Sequence, residues 1–211
     1  MKYLDFHTHA SGCEKYTDDS TVLVVQSLHL LEPLHPRADY ATLGVHPMLP
    51  GASDVLQRYQ AEPQALLQEW QDRIESSPTP IIALGECGWD HRAPLSLKQQ
   101  DLLVDFHIVL SQARHLPIVF HIVGGWHHLL RKHRAATTPW CVHGFRGKPQ
   151  LAQQLADAGI FLSLHPLAPT PPLHDYFLET DESPFTIQDH YQARGADRQE
   201  KFNLFSKLFL H

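Results

Sequence analysis

Three observations predict a small α/β barrel of the (β/α)8 kind. Strand-like apolar runs alternate with helical patterns along the chain, about eight such runs occur, and one after another is followed by a His, Glu or Asp. Alternation of this sort is the signature of βα units around a parallel sheet. The polar residues at the run ends favour a closed barrel over an open doubly wound sheet. Only closure brings the ends of first, middle and last strands to one mouth, where the loops after the strands build the site. A barrel needs roughly 200 residues, so a chain of 211 makes a small one, read as a single domain over residues 1–211.

In order, the expected strands are residues 2–7, 21–25, 40–45, 80–85, 117–121, 138–142, 160–164 and 176–180. Between the third and fourth, residues 63–76 carry helical apolar spacing through Leu66, Leu67, Trp70 and Ile74. Between the fourth and fifth, residues 97–115 repeat it through Leu102, Leu103, Phe106, Val109, Leu110 and Ala113. Shorter helical patterns cover residues 126–133, 149–158 and 197–209, the last with Phe202, Phe205, Leu208 and Phe209 on a packing face that closes the domain. The crossovers after strands 2 and 7 are abbreviated. Pro33 and Pro36 break residues 26–39, and Pro166, Pro169, Pro171 and Pro172 break residues 165–175.

Composition narrows the function classes. With 43% hydrophobic and 19% charged residues the chain suits one soluble core. No apolar stretch approaches the roughly 20 residues that span a bilayer, and Asp5 and His7 arrive before a signal-peptide core could form, so a cytoplasmic protein without membrane contact is expected. The formal net charge of −6 gives no global basic field for nucleic acid. Cys13, Cys87 and Cys141 are odd in number and far apart, which argues for a reducing compartment. Cys87 and Cys141 read as buried strand thiols, with a sulfur ligand at Cys141 the alternative, and Cys13 falls in a loop. Histidine is the outlier: its 17 copies equal Lys and Arg combined. Those outside the strand-end set, among them His29, His115, His133 and His190, read as surface residues. The basic run from Trp126 to Arg134 reads as a solvated helix end, or as a contact for an anionic substrate.

The chemistry gathers at the strand ends: Asp5-Phe6-His7-Thr8-His9, Leu43-Gly44-Val45-His46-Pro47, Ala83-Leu84-Gly85-Glu86-Cys87-Gly88-Trp89-Asp90, Leu116-Pro117-Ile118-Val119-Phe120-His121, Val142-His143-Gly144-Phe145-Arg146-Gly147 and Leu178-Glu179-Thr180-Asp181-Glu182-Ser183-Pro184. Residues two apart in a strand share a face, so His7 and His9 can offer imidazoles side by side, half of a metal site. Satisfied core histidines are the alternative for that pair alone, and the other clusters tell against it. In order and spacing these segments, over almost the whole chain, resemble the TatD family of metal-dependent deoxyribonucleases, amidohydrolase-like TIM barrels.

The resemblance implies that His7, His9 and Asp181 hold one divalent metal, that His121 and His143 hold a second, and that Glu86 bridges the two. Glu86 and Asp181 are then the catalytic carboxylates, Asp181 combining ligation with proton handling. Imidazole and carboxylate donors suit zinc, manganese, iron or nickel better than a pure magnesium cage, while the family implies that magnesium supports activity. Expected cofactors are therefore two divalent ions, Zn, Mn or Mg. His46 lines the mouth, orients a ligand or caps its strand. Glu179 shares a face with Asp181 as an acceptor behind the ligands, Asp90 is a loop anchor or catalytic, and His165 matches no ligand.

Departures from the family bear on substrate. The family commonly carries a basic residue two positions after its fifth-strand His, where this chain has Ile122 and Val123, and Arg146, with Lys148 beyond, offers the missing charge. The expected activity is a metal-dependent phosphodiesterase, a DNase on single-stranded DNA or frayed ends, with no obligate protein partner. Two alternatives stand: the same site acting on a small ester, amide or phosphate, and a non-catalytic metal-binding paralogue with an interaction role.

Overall fold

The computed structural model describes residues 1–29 and 32–210. Its elements run β1 (Tyr3–Thr8), α1 (Ala10–Glu14), β2 (Val22–His29), β3 (Tyr40–Gly44), α2 (Ala52–Ala61), α3 (Pro63–Ser76), β4 (Ile81–Asp90), α4 (Leu97–Arg114), β5 (Ile118–Val123), α5 (Trp126–His133), β6 (Trp140–Phe145), α6 (Pro149–Asp157), β7 (Ile160–Leu164), β8 (Tyr176–Leu178), α7 (Ile187–Arg194) and α8 (Arg198–Phe209). All eight strands are parallel and pair in sequence order. The sheet closes just beyond β8, where Asp181 N donates to His7 O at 2.9 Å and a parallel bridge joins Thr8 to Asp181. The chain is the small (β/α)8 barrel its sequence predicts.

Two of the long helices start for a local reason. α3 starts on Pro63, whose fixed φ suits a first helical turn. α4 starts from a capping box in which Ser96 and Gln99 satisfy each other's backbone N–H. The crossovers after β2 and β7 hold no helix among the described residues, as Pro33, Pro36 and the prolines of 166–172 require. Leu30 and Leu31 of the first of these segments lie outside the described residues. Three helices, α1, α2 and α7, are additions to the expected set.

The lower end of the barrel is plugged with aromatic rings. Phe6 of β1 stacks on Phe177 of β8 at 4.3 Å between centroids, and Phe209 of α8 meets Phe6 edge-on at 5.1 Å. Leu23, Val25, Ile82, Val119 and Cys141 complete this cluster with Phe205. The last helix thus seals the end where the strands begin and leaves the end where they finish for chemistry. No helix is long and apolar enough to cross a membrane among the described residues.

Candidate metal centre

Six strands or their immediate ends deliver the expected site residues to one place. Pairing between β4 and β5 skips between Leu84 and Cys87, and the skipped pair carries Glu86. Gly85 makes this possible: it sits at φ +123°, and a Cβ there would lie 2.1 Å from Val119 O. Glu86 is 2% exposed, at the centre of the mouth.

Five imidazoles surround its carboxylate. His143 Nε2 lies 2.7 Å from Oε2, His121 Nδ1 3.6 Å and His46 Nε2 3.7 Å, while His7 Nε2 and His9 Nε2 lie 3.3 and 3.5 Å from Oε1. His9 Nε2 is also 3.4 Å from Asp181 Oδ1. With His29 these rings form a closed circuit. His7, His9, His29, His46, His121 and His143 succeed one another at centroid spacings of 5.4, 5.7, 5.9, 4.2 and 5.4 Å, and His143 returns to His7 at 4.1 Å.

Carboxylates behind the rings fix which nitrogen each presents. Asp90 Oδ2 is 3.1 Å from His121 Nε2, so His121 turns Nδ1 toward Glu86. Asp90 is itself held by Arg92, which donates through its backbone N and Nε at 2.9 Å each and through Nη2 at 2.6 Å. Glu179 Oε1 is 3.5 Å from His143 Nδ1 and accepts Gly144 N at 2.7 Å, leaving His143 Nε2 for Glu86. Carboxylates placed this way orient metal-binding imidazoles and raise their basicity. Glu179 and Asp90 therefore both stand behind ligand candidates, and Asp90 does more than anchor its loop.

His46 differs from its neighbours in kind. Its Nδ1 accepts Met48 N at 3.1 Å, and burial pushes its pKa down to about 3, so the ring is neutral and carries its proton on Nε2. It faces Glu86 as a donor rather than with a lone pair. Both sequence readings of His46, strand-end hydrogen bond and mouth-lining residue, meet in one tautomer. His165 repeats the device: its Nδ1 accepts Leu167 N at 3.1 Å, again across a His-Pro step.

Electrostatics leave room for cations. Burial drives the Glu86 carboxyl toward neutrality, yet the charges of His143 and His7 hold its pKa well below the ordinary value. Burial likewise opposes charge on His143, and Glu86 beside it holds that pKa well above the ordinary one. Asp181 is kept below the usual carboxylate range by its hydrogen bond to His9 and by the charges of His7 and His143, which outweigh its burial. Neither nitrogen of His7 has a hydrogen-bond partner, although both atoms are buried. Such an orphan costs on the order of 1–3 kcal/mol, and a bound ion would satisfy the His7 nitrogen that carries the lone pair. Three-donor groups within 4.8 Å occur as His7/His143/Asp181, His7/His9/Glu86 and His46/Glu86/His121. These residues fit divalent cations, with His46 set apart by its tautomer.

The mouth continues into a hollow of about 500 Å3 between β5 and β6, lined by Arg92, His121, Ile122, Trp126, His143 and Arg146 among others. Arg146 is exposed on its rim. The basic run on α5 turns elsewhere: Lys132 pairs with Asp105 and Arg131 with Asp101 of α4, the solvated-face alternative. All three cysteines are free and buried, Cys13 within α1 rather than in a loop.

Sequence reasoning missed His29 and Ser27. β2 extends to His29, and Ser27 Oγ donates to Glu86 Oε1 at 3.1 Å. Their alternation past Val25 was the available signal.

Comparison with known proteins agrees with this geometry. The family described as TatD related DNase matches residues 5–202. An uncharacterized metal-dependent hydrolase of Escherichia coli K12, YjjV, is 31% identical over 125 residues, covering 57% of this chain and 44% of YjjV. The 3'-5' ssDNA/RNA exonuclease TatD of Klebsiella pneumoniae is 24% identical over 193 residues, covering 79% of this chain and 65% of that protein. The matches thus span less than two thirds of either relative. Among solved structures, YjjV of E. coli superposes with a TM-score of 0.70 at 19% identity, covering 98% of this chain and 97% of the other. A TatD family hydrolase of Entamoeba histolytica gives 0.60 at 15% identity, covering 88% and 75%. The family match over nearly the whole chain, on a barrel whose mouth gathers these imidazoles and carboxylates, makes this chain a member of the TatD related DNase family.

Proposed function

We propose that the chain is a divalent-metal-dependent phosphodiesterase that hydrolyses nucleic acid from exposed single-stranded ends. The observation that carries this reading is the Glu86 carboxylate within 3.7 Å of five imidazoles, with both His7 nitrogens orphaned beside it. In this reading His7, His9, Glu86 and Asp181 would hold one cation, and His121 and His143, with Glu86, would hold a second. When bound, two such ions polarise a phosphoryl oxygen, activate water and stabilise the leaving oxygen.

The remaining work falls to the chain's own groups. Asp181 orients the attacking water and takes its proton, a role suited to a carboxylate kept ionised by its imidazole neighbours. Neutral His46 donates Nε2–H toward the reacting group. Asp90 and Glu179 hold His121 and His143 in their tautomers. Arg146, on the rim of the hollow, takes a substrate phosphate in place of the basic residue absent at Val123. The relative named as an ssDNA/RNA exonuclease supports a nucleic-acid substrate.

The test is hydrolysis of a 3′-labelled single-stranded oligonucleotide by metal-stripped protein with magnesium, manganese or zinc restored, and Glu86→Ala run beside it. Stepwise shortening lost in the variant is expected, and no cleavage above that variant with any metal would overturn the reading. A second reading, a small phosphoester substrate at the same site, draws on the apolar Ile122 and Val123 in the hollow's wall. It predicts Glu86-dependent turnover of a nitrophenyl phosphate ester with the oligonucleotide left intact.

A further inference from the structure

β2 ends in a residue that the deep centre does not use. His29 closes the strand at the mouth, and its Nδ1 is buried without a hydrogen-bond partner. The chain then turns so that Glu32 N donates to His29 O at 3.1 Å while Glu32 Oε2 accepts His29 N at 3.3 Å. That reciprocal pair pins the Glu32 carboxylate beside the His29 ring and leaves Oε1 free of it. His9 stands on the other side, its ring centroid 5.7 Å from that of His29. Ligand atoms of His9, His29 and Glu32 all lie within 4.8 Å of one another, a fourth such group distinct from the three around Glu86, Asp181 and His143. The three side chains face a separate hollow of about 460 Å3 that also touches Ser11, Leu49 and Glu182.

We propose that His9, His29 and Glu32 form an additional divalent-cation site on the rim of the barrel, sharing His9 with the deeper centre. Two imidazoles and one carboxylate are a donor set typical of zinc with one position left for water. The sharing has a consequence. A neutral imidazole has a single free lone pair, and His9 already directs Nε2 at Asp181 and Glu86, 3.4 and 3.5 Å away. His9 therefore serves one ion at a time, and filling the rim draws a ligand away from the deeper centre. Zinc in excess becomes an inhibitor, recruited by His29 and Glu32, which the reaction does not use.

The sharing, though not the rim site itself, rests on the deep-centre reading, so the experiment separates the two. Metal-stripped parent, His29→Ala, His29→Gln, Glu32→Gln and Glu86→Ala are titrated with zinc by calorimetry, with bound zinc counted by elemental analysis after dialysis at saturating concentration. The parent is expected to hold one zinc ion per chain more than any His29 or Glu32 variant, and those variants to keep the tighter events. In the oligonucleotide assay the zinc concentration that halves activity is expected to rise at least about tenfold in these variants, the loss that removal of even an outer partner of a metal ligand produces. Equal zinc counts and equal affinities in parent, His29→Ala, His29→Gln and Glu32→Gln would overturn the rim site. Tight binding unaltered in Glu86→Ala would instead overturn the deep centre, while the count for the His29 and Glu32 variants still decides the rim.

Discussion

Replacing His107 by Gln should flatten the acid side of the stability curve. His107 sits fully buried in α4, its Nδ1 donating to Leu103 O at 2.7 Å and its Nε2 accepting Val45 N at 3.1 Å. Both bonds require one neutral tautomer, and burial pushes the pKa down from 6.5 to about 4. The unfolded chain takes up a proton near pH 6.5 while the folded chain refuses it until about pH 4. Stability from this group is thus complete above the unfolded value and drains away as pH falls through the window. Between pH 7.5 and pH 5 the difference amounts to about 2 kcal/mol. Glutamine offers the same acceptor and donor and does not titrate. Urea unfolding of parent and His107→Gln at the two pH values, with chelator present, measures the effect, because contributions from all other groups cancel between the proteins. The parent should lose about 2 kcal/mol more than the variant. Equal losses would refute the assignment of a buried neutral imidazole. His107→Leu is the companion variant: it leaves Val45 N without a partner, at a cost of roughly 1–3 kcal/mol at either pH.

Asp90→Asn should weaken metal binding about 10–100-fold with little change in fold, because the carboxylate that orients His121 is gone; dialysis against graded zinc buffers reads this, and unchanged affinity would count against the role given to Asp90. Gly85→Ala should cost on the order of 3 kcal/mol, since both the φ of +123° and the 2.1 Å approach to Val119 O forbid a Cβ; chemical denaturation checks it, and a neutral effect would mean that β4 can pair differently. Lys201 is buried over the Tyr176 ring, 3.5 Å from its centroid, and burial lowers its pKa from 10.5 to about 8. The folded chain gives up that proton first, so stability should rise with pH between about 8 and 10.5, and Lys201→Met should remove the rise from thermal melts across that range.

Much of the barrel is legible in the sequence because strands buried on both faces read as plain apolar runs, and because His7, His9, Glu86, His121, His143 and Asp181 each lie at or within three residues of the end of one. β2 reads short for a physical reason. Gln26 and Ser27 look like the end of a strand when the inside is assumed apolar, but here the inside becomes polar near the mouth. Gln26 binds Pro33 O and His35 N, Ser27 binds Glu86, and His29 carries the strand on into the histidine circuit. The helix α7 escapes the sequence pattern because its buried face is Ile187, His190 and Tyr191, too polar to show an apolar period. Pairings such as Asp90 with His121 and Glu179 with His143 join residues far apart in sequence, and only the pairing of the strands brings them together.

The closure of the barrel divides the proposed centre unequally. His7 and His9 belong to the first strand and its exit and Asp181 lies just past the last, and the seam between those strands is held by Asp181 N on His7 O, Thr180 N on Asp5 Oδ1 at 2.8 Å and the Thr8 hydroxyl on Asp181 O at 3.1 Å. Glu86, His121 and His143 come from strands in the unbroken middle of the sheet. A transient parting of the chain's two ends would tear one ligand set apart and leave the other assembled. Two chemically similar ions would then have different residence times, the seam ion leaving at the rate at which the ends breathe and the other only when the whole sheet comes undone.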